Sequence, residues 1–498
     1  MSDSSIDGTV VRRHVGETWE REAVPALRDF IAIPNVSVAF DPGWADAGHM
    51  DRAVDLVADW LRGRPIEGAA VEVRRLAGRT PLILLDVPAF GNSAAGDGGT
   101  VLLYGHLDKQ PPMAGWRPGL GPWEPVLEDR RLYGRGGADD GYAAFAAASA
   151  IEAVRAAGGS HRRCLVLIEA SEESGSPDLP AHLDALGERL SGTTLVVALD
   201  SWCWSYDRLW CTTSLRGLLC VHLGVEVLSE GVHSGMAGGV VPSTFRVLRR
   251  LLDRVEDPDT GRILLDELGV DVPPERARQL EDVAGDIGDM TASYPFLDGV
   301  RPLGESTAER LRARMWEPCL EVIAAEGLPP LSEGGNVLRP RTRAALSFRL
   351  PPGVDAAAAG DAVKRVLSAD PPHGARVTVD VDTAEGGWAA PATAPWLEEA
   401  LASASGAAFG AEHRSVGEGG TIPFMGMLGR MLPDAQFVIT GVLGPGSNAH
   451  GPNEFLHLPT AARVTEAVAH LLDSHARAPN PSPSAESERA WSGSEARG

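Results

Sequence analysis

The chain has 498 residues, against ~150 for a typical domain, so two or three domains are expected. Hydrophobic residues make up 44% and charged residues 23%, the balance of a globular protein with a substantial core. Its 68 acidic residues outnumber 45 basic ones, and the resulting charge of −23 repels phosphate backbones and anionic lipid, which argues against nucleic-acid and membrane-surface binding.

In chain order, Val15, Trp19, Ala23, Leu27 and Phe30 recur at helical spacing until Pro34 stops the pattern. A second helix is predicted over 49–62, with Met50, Val54, Val57 and Leu61 on one face. Apolar runs at 71–76, 82–87 and 101–104 read as strands, and a helix over 142–157 leads into strands at 164–170 and 194–199. This alternation predicts an α/β layer with a mostly parallel central sheet. After Thr213 the texture changes: Leu219, Val221, Leu223, Val225 and Val227 alternate with Cys220, His222, Gly224 and Glu226, as on a half-exposed strand. A helix over 243–255, a strand at 344–350, a helix over 355–368 and a strand at 376–382 fit a smaller α+β block with helices on one side of an antiparallel sheet. A helix at 396–405 and a strand at 436–440 restore the α/β texture. From Ala478 onward Ser, Pro, Glu and Ala predominate, and a disordered tail is expected. The expected organisation is therefore 1–212 and 391–477 as two parts of one domain, 213–390 as an insertion, and 478–498 as the tail.

No run approaches the ~18 apolar residues of a membrane span, and the first residues lack the apolar core of a secretory signal. Five cysteines, odd in number and without a CxxC pair, suit reduced thiols in a cytoplasmic protein.

Acid and histidine clusters fall where apolar runs end. YGHLD (Tyr104 to Asp108) follows one run, Asp139-Asp140 precedes a helix, Glu172-Glu173 follows another strand, and Asp200 closes a third. In an open α/β sheet ligands collect beyond the carboxyl ends of the strands. Gaps of 33, 34 and 27 residues between His106, Asp139, Glu173 and Asp200 suit one strand and crossover each. Crowded carboxylates resist joint ionisation, a conflict that a divalent cation removes. A set of His and carboxylate donors suits zinc, with Mn or Co as substitutes. Two cations sharing a carboxylate need about five ligands, and His450, in the loop GSNAHGPNE, is the candidate for the missing nitrogen donor. Taken singly, Asp139-Asp140 also reads as a helix cap, Glu172-Glu173 as a solvated pair and His450 as an ordinary loop residue. Taken together, all of them lie at strand ends.

The motifs YGHLD, LYGRGGADD, EASEESGS, LD and NAHGPNE, in that order, resemble those of the dinuclear-zinc metallopeptidase family of carnosinase-type dipeptidases, aminoacylases, succinyl-diaminopimelate desuccinylase and glutamate carboxypeptidase. SLRG (Ser214 to Gly217), GVHSG (Gly231 to Gly235) and RMWEPCLEV (Arg314 to Val322) place the likeness nearest the dipeptidase and glutamate-carboxypeptidase branch. The resemblance implies a zinc-peptidase catalytic domain interrupted by a lid domain that also dimerises, with two Zn2+ per subunit. Asp139 would bridge them, His106 and Asp200 would complete one set of ligands, and Glu173 and His450 the other. Asp108 would hold the His106 ring through its second nitrogen, and Glu172 would be the general base. His233 would reach a partner subunit's site and stabilise the oxyanion; Asn336, Arg349 and Thr421 would bind substrate. A cis peptide is expected between Asp139 and Asp140. Against the family pattern, Glu385 to Trp396 contains no histidine, and Tyr142 follows DDG where many relatives carry Lys before the Gly.

The activity these features imply is metal-dependent hydrolysis of an amide bond in a dipeptide or small peptide-like substrate with a free carboxylate. An N-acyl-amino-acid deacylase or glutamate-type carboxypeptidase keeps the reaction and changes the substrate. A metal-binding protein without turnover would have no use for an unliganded Glu172. A serine hydrolase is disfavoured by the absence of GxSxG.

Overall fold

The computed structural model describes residues 6–92, 98–420 and 423–479, and the chain divides into two compact units. Met1–Thr213, Ala390–Ser415 and Met427–Gly498 form the first, and Ser214–Ala389 with Val416–Gly426 the second. The sequence pattern puts all of 391–477 with the first body. Residues 416–426 instead group with the second, where Arg216 N donates to Gly420 O at 3.0 Å and Arg216 Nε to Gly419 O at 3.1 Å. Of the expected tail at 478–498, residues 480–498 lie outside the described residues.

The sheet of the first unit runs, in spatial order, Ala70–Arg74, Leu82–Val87, Arg163–Glu169, Thr100–His106, Thr193–Ala198, Gln436–Ile439 and Trp210–Leu215. Its four middle strands are parallel to one another, while the outer ones join antiparallel, so the sheet is mixed with a parallel centre. Thr100–His106 is buried at every position, which is why Val101, Leu102 and Leu103 show no alternation of polarity. The helix Tyr142–Ala156 is rich in alanine and buried along most of its length. Its small side chains let Gly8–Thr18 and Leu458–Arg477 pack against it, and Leu458–Arg477 also packs on Pro395–Phe409.

Connectivity positions the chemistry. From Thr100–His106 the chain crosses to Arg163–Glu169 on one side, then to Thr193–Ala198 on the other. The strand ending at His106 thus stands at a reversal of strand order, where α/β sheets open a crevice at their carboxyl edge.

The second unit carries a four-stranded antiparallel sheet, in the order Cys319–Glu326, Arg341–Leu350, Gly217–Glu226, Arg376–Glu385. Leu219, Val221, Leu223 and Val225 are buried, and they join Leu346 and Phe348 in a core with the helices Thr244–Leu252 and Ala356–Ser368. Asp355 caps the latter helix by accepting from Ala357 N and Ala358 N, each at 3.0 Å. Among the described residues no helix is long and apolar enough to cross a membrane.

Candidate metal centre

All the acid and histidine positions picked out at strand ends lie in the first unit. His106 is the last residue of its strand, and Asp200 lies two residues beyond Thr193–Ala198. Glu172 and Glu173 open a short 3-10 turn (Glu172–Ser174) after Arg163–Glu169. Asp139 sits in the turn Gly137–Gly141 that enters the helix Tyr142–Ala156, and its peptide to Asp140 is cis. His450 lies in the loop after Gln436–Ile439.

These side chains form two sets of three that share Asp139: His106, Asp139 and Asp200, and Asp139, Glu173 and His450. Asp139 gives one oxygen to each. Its Oδ1 is 3.3 Å from His106 Nε2, and its Oδ2 is 3.0 Å from His450 Nε2. Asp200 Oδ2 lies 3.7 Å from His106 Nε2, and Glu173 Oε2 lies 3.4 Å from His450 Nε2. Glu172 belongs to neither set, and its Oε2 is 4.0 Å from His106 Nε2.

Asp108 is fully buried, and its carboxylate accepts from Glu172 N at Oδ1 and from Glu173 N at Oδ2, both at 3.0 Å. The His106 Nδ1 contact divides between the Asp108 main-chain oxygen, at 3.1 Å, and its carboxylate Oδ1, at 3.4 Å. A carbonyl only accepts, so Nδ1 of the neutral ring carries the proton and the Nε2 lone pair faces the carboxylates.

The electrostatics are those of a site built for cations. Burial above all, with Asp139 adding to it and His106 opposing it, pushes Asp200 up to about 6. Burial and Asp139 likewise hold Glu173 well above the usual carboxylate range. Burial works against the protonated His106 ring, yet Asp108, Asp139 and Asp200 together raise it well above its ordinary value. Asp139 alone goes down: burial opposes ionisation, but His106 and His450 outweigh it. His106 Nε2 and Glu173 Oε1 are buried without a hydrogen-bond partner. Orphaned donor atoms beside crowded carboxylates fit a pair of divalent cations, which would satisfy the lone pairs and cancel the repulsion.

Comparison with known proteins shows the family. Residues 102–474 match the sequence pattern described as Peptidase family M20/M25/M40. The chain belongs to this family. The M20 chain is 30% identical to the cysteinylglycine-S-conjugate dipeptidase of Corynebacterium striatum over 76% of its own length and 81% of the relative's. Its fold is similar to that of human carnosine dipeptidase 1, with a TM-score of 0.72, 24% identity, and coverage of 95% of this chain and 99% of the other. It is equally similar to the dipeptidase Dug1p of Saccharomyces cerevisiae, with a TM-score of 0.73, 21% identity, and coverage of 96% and 100%.

In the second unit of this M20 peptidase, His233 and Asn336 come together. His233 pairs with Val337 in a two-residue ladder, and Ser234 N donates to Asn336 O at 2.8 Å. Both side chains are exposed, and His233 Nδ1 accepts from Gly235 N at 3.1 Å. Arg349 lies on Arg341–Leu350 opposite Cys319. Thr421 is outside the described residues.

Sequence reasoning missed several neighbours of the metal centre. Gln110, two residues past Asp108, donates from Nε2 to Glu173 Oε2 at 2.6 Å. Glu169, opposite His106 in the sheet, accepts from the Tyr104 hydroxyl at 2.6 Å and the Ser176 hydroxyl at 2.9 Å, and burial raises its carboxyl to about 7. Asp140 was noted beside Asp139, but not its contact: its Oδ2 accepts from His106 N at 3.2 Å. Each lies within four residues of a position already singled out, and this proximity was the available signal.

Proposed function

We propose that this M20 peptidase hydrolyses the peptide bond of dipeptides, or of small peptide-like molecules with a free carboxylate, with Glu172 as the proton shuttle. The observation that carries the reading is Asp139, whose two oxygens are divided between His106 and His450, while Glu172, with Oε2 4.0 Å from His106 Nε2, joins neither set. Zinc suits these donors, and manganese or cobalt could replace it. Bound there, a pair of divalent cations would polarise the scissile carbonyl and lower the pKa of the attacking water. Glu172 takes the proton of that water and delivers it to the leaving nitrogen. Burial and the charges of Asp200, Glu169 and Asp108 hold its carboxyl well above the usual range, with His106 opposing, which suits a group that must accept and then release a proton. Asp108 fixes the turn from which Glu172 acts.

The proposal extends to the second unit. Because Nδ1 of His233 accepts a hydrogen bond, Nε2 of the neutral ring carries the proton, an available donor on an exposed residue. His233, offered by a second copy in a homodimer, is proposed to stabilise the oxyanion. Asn336, Arg349 and Thr421 are proposed to hold the substrate, Arg349 through its carboxylate. The relative from Corynebacterium striatum, a dipeptidase by name, supports the choice of substrate class.

The test is metal-stripped enzyme reconstituted with Zn2+, Mn2+ or Co2+ and assayed by mass spectrometry on free-amine dipeptides, N-acetyl-amino acids and folate-like substrates. Dipeptide cleavage should return with metal. Glu172→Gln should keep the cations and lose ~10²–10⁴-fold in kcat. Unchanged turnover in Glu172→Gln would end the mechanism, and cleavage restricted to N-acyl substrates would replace the dipeptidase reading with a deacylase one.

A further inference from the structure

Two buried charges in the first unit have no part in the chemistry described so far. Arg135 and Glu454 are 1% and 0% exposed and stand 319 residues apart in sequence. Arg135 lies four residues before Asp139, and Glu454 lies four residues after His450. Arg135 Nη1 donates to Glu454 Oε2 at 2.6 Å, and Arg135 Nη2 donates to the carbonyl of Gly451, the residue after His450, at 2.7 Å. Glu454 Oε1 accepts from Gly136 N at 3.0 Å, and Gly134 N donates to Glu454 O at 3.0 Å. Four contacts thus lace residues 134–136 to residues 451–454.

The loop they hold would not keep its shape unaided. Asn448, His450 and Asn453 have φ of 53°, 64° and 63°, a left-handed conformation that Asn visits readily but that is uncommon for His and must be supported by its surroundings. Side-chain packing does little for His450, which is 57% exposed and faces Asp139 and Glu173. A well-packed apolar pair would serve stability at least as well as a buried ion pair. What the charged pair adds is direction, since its donors and acceptors are aimed at the backbone on either side of the Asp139–His450 contact.

We propose that Arg135 and Glu454 are positioning residues that hold His450 against Asp139 and thereby set the affinity of the Asp139–Glu173–His450 set for its cation. This rests on the two-cation reading given above. The His106–Asp139–Asp200 set shares Asp139, but its other two ligands stand at the ends of other strands and its affinity should change less.

The experiment titrates metal-free full-length protein with Zn2+ against a chromophoric chelator, alongside hydrogen exchange of the amides of residues 447–455 without metal. Wild type should show two binding steps. Glu454→Gln and Arg135→Met should weaken one step by ~10–100-fold and leave the other in place, with faster exchange in the loop. Arg135→Lys should fall between these variants and wild type, and kcat should recover at saturating Zn2+. Both steps unchanged, or both weakened equally, would overturn the proposal. Should Arg135→Met fail to fold, Glu454→Gln decides, because it keeps the shape of the side chain and an acceptor for Gly136 N. A wild type that binds fewer than two Zn2+ would overturn the two-cation reading itself, and the proposal with it.

Discussion

Asp108→Asn tests how Glu172, the proposed general base, is held. The substitution preserves shape but turns one carboxylate oxygen into an NH2 group facing a backbone N–H. If the amide nitrogen takes the Oδ1 place, it meets Glu172 N at 3.0 Å and lies near His106 Nδ1, 3.4 Å from that position. In the Oδ2 place it meets Glu173 N alone, also at 3.0 Å, so this is the less costly flip. One hydrogen bond to a charged acceptor is lost, which is worth about 1.5–3 kcal/mol. The metal-free protein should therefore unfold at a lower temperature. Because Glu172 and Glu173 ride on the same short turn, kcat/KM at saturating metal should fall by ~10–100-fold, with Glu173 displaced more than Glu172. Calorimetry of the metal-free protein and steady-state kinetics on one dipeptide measure the two effects separately. A variant less stable than wild type but equally active would show that Asp108 does not position the turn.

Two further substitutions probe the frame. A Cβ at Gly105 would lie 2.4 Å from Ala143 Cβ and 2.7 Å from Asp140 Oδ2, so Gly105→Ala should cost about 1–3 kcal/mol in thermal stability and loosen Zn2+ binding through His106, whereas an unchanged Tm would mean the strand and helix can separate freely. Glu152 accepts from Arg64 Nε and Nη2 at 2.5 and 2.9 Å; burial would raise its carboxyl, but Arg64 and His14 outweigh this and lower it. Its folded value lies below the unfolded one of about 4.3, so the stability it contributes is present above that pH and lost as pH falls through the folded value. Glu152→Gln leaves Arg64 paired with Glu22 alone, so it should cost about 1.5–3 kcal/mol at neutral pH and flatten the acid limb of the stability curve, and urea midpoints measured from pH 3 to 7 check both.

Much of the first unit could be read because its elements declare themselves locally. Residues 49–62 show apolar positions at helical spacing and form the helix His49–Arg62. The strand ends that carry His106, Glu173 and Asp200 are bounded by polar motifs after apolar runs. The long helix Leu458–Arg477 escaped, because Thr465, Glu466, His470, Asp473 and His475 are buried within it and blur the apolar stripe. Pro274–Ile287 and Thr307–Trp316 escaped for the opposite reason: each buries only three residues beneath a mostly charged surface. In the candidate metal centre the clustering of His106, Asp139, Glu173, Asp200 and His450 was foreshadowed by motif and spacing. The contacts that orient them, such as Arg135 to Glu454 across 319 residues, leave no local pattern.

The place of Gln436–Ile439 in the sheet bears on how the molecule is made. That strand lies between Thr193–Ala198 and Trp210–Leu215, although both neighbours precede it by more than two hundred residues. While the chain emerges from the ribosome, Thr193–Ala198 therefore has an unfilled flank, a row of unpaired amides and carbonyls that invites pairing with other nascent chains. Arrival of the late strand closes that gap and delivers His450 in the same event. A polypeptide stopped short of residue 436 would consequently lack the proposed ligand His450 and keep this open slot, and a folding helper that shields the slot during translation would raise the yield of folded protein.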